Sequence, residues 1–162
     1  MRVAVGSDHA GFALKEKLKA ELTERGHEVD DLGTANGEAA VDYPDYGAAV
    51  GRAVVSGQAE LGVCTCGTGI GVAMAANKIP GVRAAVIHDA STATLAREHN
   101  HANVICLGSR VLSSAVALDA LASFLSATEQ HGRHDLRIAK LADLDLGLDL
   151  EPALDLEGIP SS

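Results

Sequence analysis

The sequence predicts an α/β fold, a Rossmann-like three-layer αβα sandwich built on a five-stranded parallel sheet. Short β-branched runs alternate with longer helical stretches along the chain, as in a parallel sheet covered by helices. Aromatic residues are almost absent: Phe12, Phe124, Tyr43, Tyr46 and no Trp. The core must therefore be made of Ala, Val, Leu and Ile, which suits small-residue helices packed on such a sheet. A length of 162 residues fits one domain that can bury a sizeable core.

Arg2 to Gly6 reads as the first strand. Leu14, Leu18 and Leu22 follow at helical spacing, and Gly26 stops that helix. Val29 to Leu32 is a short second strand, and Thr34 to Asp42 a polar loop. Tyr43 to Val55 reads as helix, with Pro44 tolerated in the first turn. Glu60 to Thr65 is the third strand; it enters Cys66-Gly67-Thr68-Gly69-Ile70-Gly71 and an Ala-rich helix from Val72 to Asn77. Arg83 to Ile87 is the fourth strand, Asp89 can cap a helix running through Glu98, and Val104 to Leu107 is the fifth strand. Val111 to Leu125 is apolar nearly all round, which predicts burial by the sheet on one side and by another subunit on the other. A polar segment with His and Arg spans Glu129 to Lys140. Residues 1–142 form the domain; from 143 to 162 the composition shifts to an Asp/Leu-rich acidic extension, expected to be solvated or loosely docked.

A net charge of −9 argues against nucleic acid or an anionic membrane as partner, since both require a basic surface. No apolar run approaches the roughly 18 residues of a membrane span. Cys64, Cys66 and Cys106 are odd in number, and the first residues lead straight into a strand. Reduced thiols in a cytoplasm are the expectation.

Ligands of open parallel sheets sit beyond the carboxyl ends of the strands. Ser7-Asp8-His9, Cys66-Gly67-Thr68-Gly69 and Gly108-Ser109-Arg110 each follow a strand, and His99-Asn100 ends the helix after the fourth. Alternating glycines before a helix offer free N–H groups and a positive dipole end to an anion. The pattern is neither a dinucleotide fingerprint nor a P-loop. Cys66 opens this loop and reads either as a small packed hydrophobe or as a thiol activated by the helix N-terminus. Cys64 and Cys106 read as core. Arg133, His134 and Arg137 share one face if their segment is helical; the set reads as a dianion site or as a solvated face. Cys64-x-Cys66 and His99-x-His101 do not match zinc spacings, so no metal is expected.

Gly6-Ser7-Asp8-His9-Ala10-Gly11, Asp42-Tyr43-Pro44, Cys66 to Gly71, Ala75-Ala76-Asn77-Lys78, Arg97-Glu98-His99-Asn100, Gly108-Ser109-Arg110 and Gly132-Arg133-His134-x-x-Arg137 occur in this order. Together they resemble the type B ribose-5-phosphate isomerases and the related galactose-6-phosphate isomerase subunits over roughly residues 2–140. The resemblance implies an aldose–ketose isomerase without cofactor or metal, acting on ribose 5-phosphate and ribulose 5-phosphate. A four- or six-carbon sugar phosphate is the alternative within the class, and a non-catalytic phosphate-sensing module the alternative outside it.

By the same resemblance Cys66 is the base that shuttles a proton between C1 and C2. Gly67, Gly69, Ile70 and Gly71 present backbone N–H groups to the enediolate, helped by Thr68. His99 opens the furanose ring. Asp8 and Tyr43 bind sugar hydroxyls, and Asn100 holds the substrate chain. His9, Arg110, Arg133 and Arg137 surround the phosphate, with His134 close by. The family's sites form between the two subunits of a homodimer, with a tetramer as a further assembly. One branch of the family carries a glutamate base where this chain has Val72, so the sequence groups with the cysteine users. His101 and the extension match no motif.

Overall fold

The computed structural model describes residues 1–149. The order is β1 (Arg2–Ser7), α1 (Phe12–Glu24), β2 (Glu28–Asp31), α2 (Tyr43–Val55), β3 (Leu61–Cys66), α3 (Ile70–Ala76), β4 (Ala84–Val86), α4 (Ala90–Asn100), β5 (Val104–Gly108), α5 (Ser114–Ser126) and α6 (Arg133–Asp145). The strands lie in the order β2-β1-β3-β5-β4, and every neighbouring pair is parallel. This is the expected five-stranded sheet between two helical layers.

Strand alternation sends different residues to the two faces. Val3, Val5, Leu61, Val63, Ile105 and Leu107 meet α1, α4 and α5, whose Leu18, Leu22, Leu121 and Phe124 complete a core of large side chains. Ala4, Cys64, Cys66, Val104 and Cys106 face α2 and α3 with Val50, Ala53, Val72 and Ala76. This second face is built from small groups, so α2 and α3 approach closely. A Cβ on Gly47 would lie 2.7 Å from the Val72 carbonyl oxygen.

Two helix starts differ from expectation. α3 begins at Ile70 rather than Val72, because Gly69, at φ 80°, provides the left-handed turn that starts it. α5 begins at Ser114 rather than Val111, because Ser113 caps it: its hydroxyl accepts the Val116 N–H. Val111 stays in the preceding turn, exposed. Residues 143–145 of the acidic extension form the last turn of α6, where Asp145 Oδ2 accepts the Gly81 N–H at 2.7 Å. Residues 150–162 of the extension lie outside the described residues. No helix among the described residues is long and apolar enough to cross a membrane.

β4 is an edge strand. The Asn77 carboxamide pairs with it in both directions, donating to the Ala84 carbonyl and accepting the Ala84 N–H, each at 2.8 Å.

Lys15 is only 1% exposed. Its ammonium donates to Asp31 Oδ1 at 2.6 Å and to the Thr34 carbonyl at 3.0 Å, tying α1 to the end of β2. Burial pushes the Asp31 carboxyl up, but hydrogen bonds from Lys15, Lys19 and the Gly33 N–H outweigh it and leave the group below its ordinary value. A carboxyl lowered in the folded state stabilises the fold above the ordinary carboxylate range, and that contribution is lost as pH falls through the lowered value. The Tm of the wild type should therefore exceed that of Asp31→Asn at neutral pH, with the gap narrowing below about pH 4. A gap that does not change with pH would mean that the Asp31 charge is not responsible.

Candidate active site

The chain reverses direction across the sheet between β1 and β3: β2 lies on one side of β1, and everything after α2 lies on the other. Such a switch point leaves a crevice at the strand ends. Asp8, His9 and Ala10 leave β1 there, Cys66, Gly67, Thr68 and Gly71 leave β3, and Tyr43 and Arg110 close the sides of a cleft of about 250 Å³.

Cys66 is the last residue of β3 and points to the small-residue face, which places its sulfur under the glycine turn. The side chain is 4% exposed. The Gly69 N–H donates to its Sγ at 3.1 Å. The turn is locked from both sides. Ser109 N–H donates to the Cys66 carbonyl and Arg110 N–H to the Gly67 carbonyl, both at 2.9 Å. The Thr68 hydroxyl accepts the Ile70 N–H at 3.3 Å. The glycines are required where side chains lie against them. A Cβ on Gly71 would come within 2.8 Å of the Tyr43 ring, and one on Gly67 within 3.3 Å of the Arg110 guanidinium. Ile70 starts α3 with its side chain 49% exposed, so only its backbone belongs to the turn.

The loop after β1 is equally fixed. Asp8 Oδ1 accepts the Gly11 N–H at 2.8 Å. His9 Nδ1 lies 3.2 Å from the Val41 N–H and 3.3 Å from the Val41 carbonyl oxygen, which ties the ring to residue 41 in either tautomer. Beneath the loop, Thr65 Oγ1 donates to the Gly11 carbonyl at 2.9 Å and Ser109 Oγ to the Ala10 carbonyl at 2.8 Å. Neither residue was singled out by its own chemistry from the sequence. The signal was Thr65's place one residue before Cys66, which turns its hydroxyl to the opposite sheet face.

The remaining expected site residues gather elsewhere on the chain. His99, in the last turn of α4, stacks on His134 of α6 with ring centroids 4.4 Å apart. Arg133 Nε lies 3.4 Å from His134 Nε2. His134 is buried, while Arg133 and Arg137 flank it exposed, so the helix divides the three instead of lining them on one surface. Burial pushes the His134 imidazole below its ordinary value, and His99, Arg133 and Arg137 add to this. Asn100 lines a separate cavity of about 470 Å³ with Asn77, Arg83, Leu141 and Asp145. A single chain thus builds two groups: a thiol with its amide turn, and an imidazole pair with two arginines.

Residues 3–141 match the family model described as Ribose/Galactose Isomerase. The chain belongs to the ribose/galactose isomerase family. It is 41% identical over 144 residues to ribose-5-phosphate isomerase B of Escherichia coli K12, covering 89% of this chain and 96% of that one. Among solved structures, ribose-5-phosphate isomerase B of Clostridium thermocellum superposes with a TM-score of 0.89 at 45% identity, covering 91% of this chain and 99% of that one. The Mycoplasma genitalium ribose-5-phosphate isomerase B, solved with bound ribulose-5-phosphate, superposes with a TM-score of 0.85 at 39% identity, covering 90% and 96%. The family match spans both groups of site residues, from Asp8 just after β1 to Arg137 on α6.

Proposed function

We propose that the protein interconverts ribose 5-phosphate and ribulose 5-phosphate, with Cys66 as the base, in sites completed between two chains of a homodimer. The observation that carries this reading is the Cys66 sulfur at the base of an amide-lined turn, in a cleft that also holds Arg110, His9, Asp8 and Tyr43.

Aldose–ketose isomerisation removes a proton from the carbon beside a carbonyl and returns it to the next carbon. Cys66, as thiolate, takes the proton from C2 of the open-chain aldose; the bonding pair passes into the C1–C2 bond, and negative charge develops on oxygen. The hydroxyl proton passes from O2 to O1, the thiol returns the carbon-bound proton to C1, and the carbonyl re-forms at C2. The N–H groups of the turn that do not serve the sulfur, together with Thr68, face that developing charge. Fixed donors of this kind are worth about 3 kcal/mol each, because they need no reorganisation as the charge appears. His99 of the second group opens the furanose ring by accepting the anomeric hydroxyl proton and delivering a proton to the ring oxygen. Arg110 and His9 hold the phosphate from one chain, and Arg133 and Arg137 from the other, with His134 beside them. Guanidinium groups bind such a dianion through paired, charge-assisted hydrogen bonds. Asn100 holds the substrate chain. No step moves an electron pair to an external acceptor, so the reading includes no redox cofactor.

Two measurements test this. Solvent deuterium should enter C2 of ribose 5-phosphate during turnover, which a phosphate-sensing module would not cause. Mixing the individually inactive Cys66→Ala and His99→Asn proteins should restore activity, because a hybrid dimer then carries one intact site; no recovery from subunits shown to exchange would remove the shared site. Arg137→Ala should raise KM for ribose 5-phosphate by about tenfold or more while largely sparing kcat, since the phosphate is remote from the reacting carbons. An unchanged KM would take Arg137 out of the phosphate site.

A further inference from the structure

We propose that His101, His131 and Asp135 form a binding site for a divalent transition-metal ion of the zinc class, which clips the start of α6 to the end of α4. The proposal goes beyond the isomerase reading and does not depend on it. Linear spacing conceals the set, because His101 ends one helix and the other two residues begin another.

His101 is the C-cap of α4 and sits in the left-handed region at φ 47°, ψ 39°. Among the described residues it is the one non-glycine with a positive φ. The conformation carries its ring inward, to 7% exposure. Its Nε2 lies 2.8 Å from the Gln130 carbonyl oxygen. A carbonyl can only accept, so Nε2 carries a proton and Nδ1 is the nitrogen left to meet a metal ion. Nδ1 faces Glu129 Oε2 at 3.7 Å. His131 Nδ1 and Asp135 Oδ1 stand 3.0 Å apart. One ligand atom from each of His101, His131 and Asp135 lies within 4.8 Å of the others. An ion with nitrogen and oxygen bonds of about 2.0–2.2 Å draws such atoms together with a small movement of the exposed His131 side chain.

The carboxylates are already oriented. Glu129 Oε1 takes Arg97 Nη1 at 3.0 Å, and Asp135 Oδ2 accepts the Gly132 N–H at 2.8 Å. Each therefore turns its second oxygen toward an imidazole. Outer contacts of this sort, including the His101 bond to Gln130, are what fix ligand orientation in metal sites. Two imidazoles and the Asp135 carboxylate supply a mixed nitrogen/oxygen donor set, with the Glu129 carboxylate beside His101. Nitrogen donors select zinc, cobalt or nickel over calcium or magnesium. The ligands bracket Arg133 and His134 in the sequence, so a bound ion fixes the first turn of α6 against the helix that carries His99 and Asn100.

The test is titration of the reduced full-length chain with Co²⁺ alone, followed by ligand-field absorption and by competition with Zn²⁺. One Co²⁺ per chain with a nitrogen/oxygen spectrum, displaced by Zn²⁺, is expected. His101→Asn keeps a residue type that tolerates the left-handed backbone, and His131→Ala alters an exposed side chain; each should weaken Co²⁺ binding at least about tenfold, as loss of even an outer contact does. Absence of a saturable band, equal affinity in both variants, or sulfur-to-cobalt charge-transfer absorption, which places the ion on cysteine, would overturn the site.

Discussion

Replacing Cys66 with alanine is expected to lower kcat for ribose 5-phosphate isomerisation by about 10³- to 10⁴-fold, the range lost with a positioned general base. The fold should survive. Cys66 sits at the end of a strand on the face built from Ala4, Cys64, Cys106 and Val72, where alanine is an acceptable neighbour. Its sulfur takes the Gly69 N–H, and loss of that one hydrogen bond is a modest cost beside the packing that remains. Cys64 cannot stand in: it is fully buried one pleat back in β3. Cys106 is also excluded, because a hydrogen bond with Cys64 and complete burial push its thiol well above the ordinary value. Steady-state rates with circular dichroism on the same sample decide the matter. A folded variant with full activity would show that the base lies elsewhere.

Gly108→Ala should be among the most damaging single-methyl additions in the described residues, comparable with Gly11→Ala, whose Cβ would lie 2.5 Å from the Thr65 backbone. A Cβ there would lie 2.5 Å from the Thr68 carbonyl oxygen and 2.6 Å from its carbon, both backbone atoms of the turn above Cys66. Backbone cannot rotate away as a side-chain tip can, so either β5 or the turn must shift. Overpacking of this kind costs about 3 kcal/mol. Because the strain falls on the turn whose amides are proposed to meet the enediolate, kcat should drop by about tenfold or more as well, a misplacement effect well beyond the loss of folded protein. Urea denaturation and kinetics at a temperature where the variant is fully folded separate the two. Wild-type stability would mean that the turn gives way freely, and the rigidity argued for it would not hold.

Most of the fold could be read from the chain, for local reasons. α2 was bounded correctly at Tyr43 and Val55 because Pro44 suits only a first turn and Ser56-Gly57 stops the helix. α3 starts two residues before the Ala-rich run from Val72, and the missing side chain of Gly71 in its first turn makes room for the Tyr43 ring. α5 was placed early because Val111 and Leu112 extend the apolar pattern into what is a turn. Asp8, Cys66 and Arg110 are legible in the sequence because each ends or follows a strand and parallel strands all end at one edge, whereas Tyr43, at the start of α2, is marked only by the family resemblance. What spacing could not reveal is contact between distant segments. Helical periodicity gave Arg133, His134 and Arg137 one face, but the stack of His134 on His99 depends on how α6 lies against α4. The turn of His101 into the protein follows from one left-handed residue that no motif marks.

The Asn77 carboxamide has a meaning for the molecule's behaviour in a crowd. A parallel sheet that stops at β4 offers a row of amide and carbonyl groups to any extended peptide that drifts by. Here one side chain imitates the peptide group of an absent neighbour and occupies that position with matched donor and acceptor. Protection against unwanted sheet growth at this margin thus begins with a single residue seven positions upstream of the strand it guards, with the end of α6 beside the same strand.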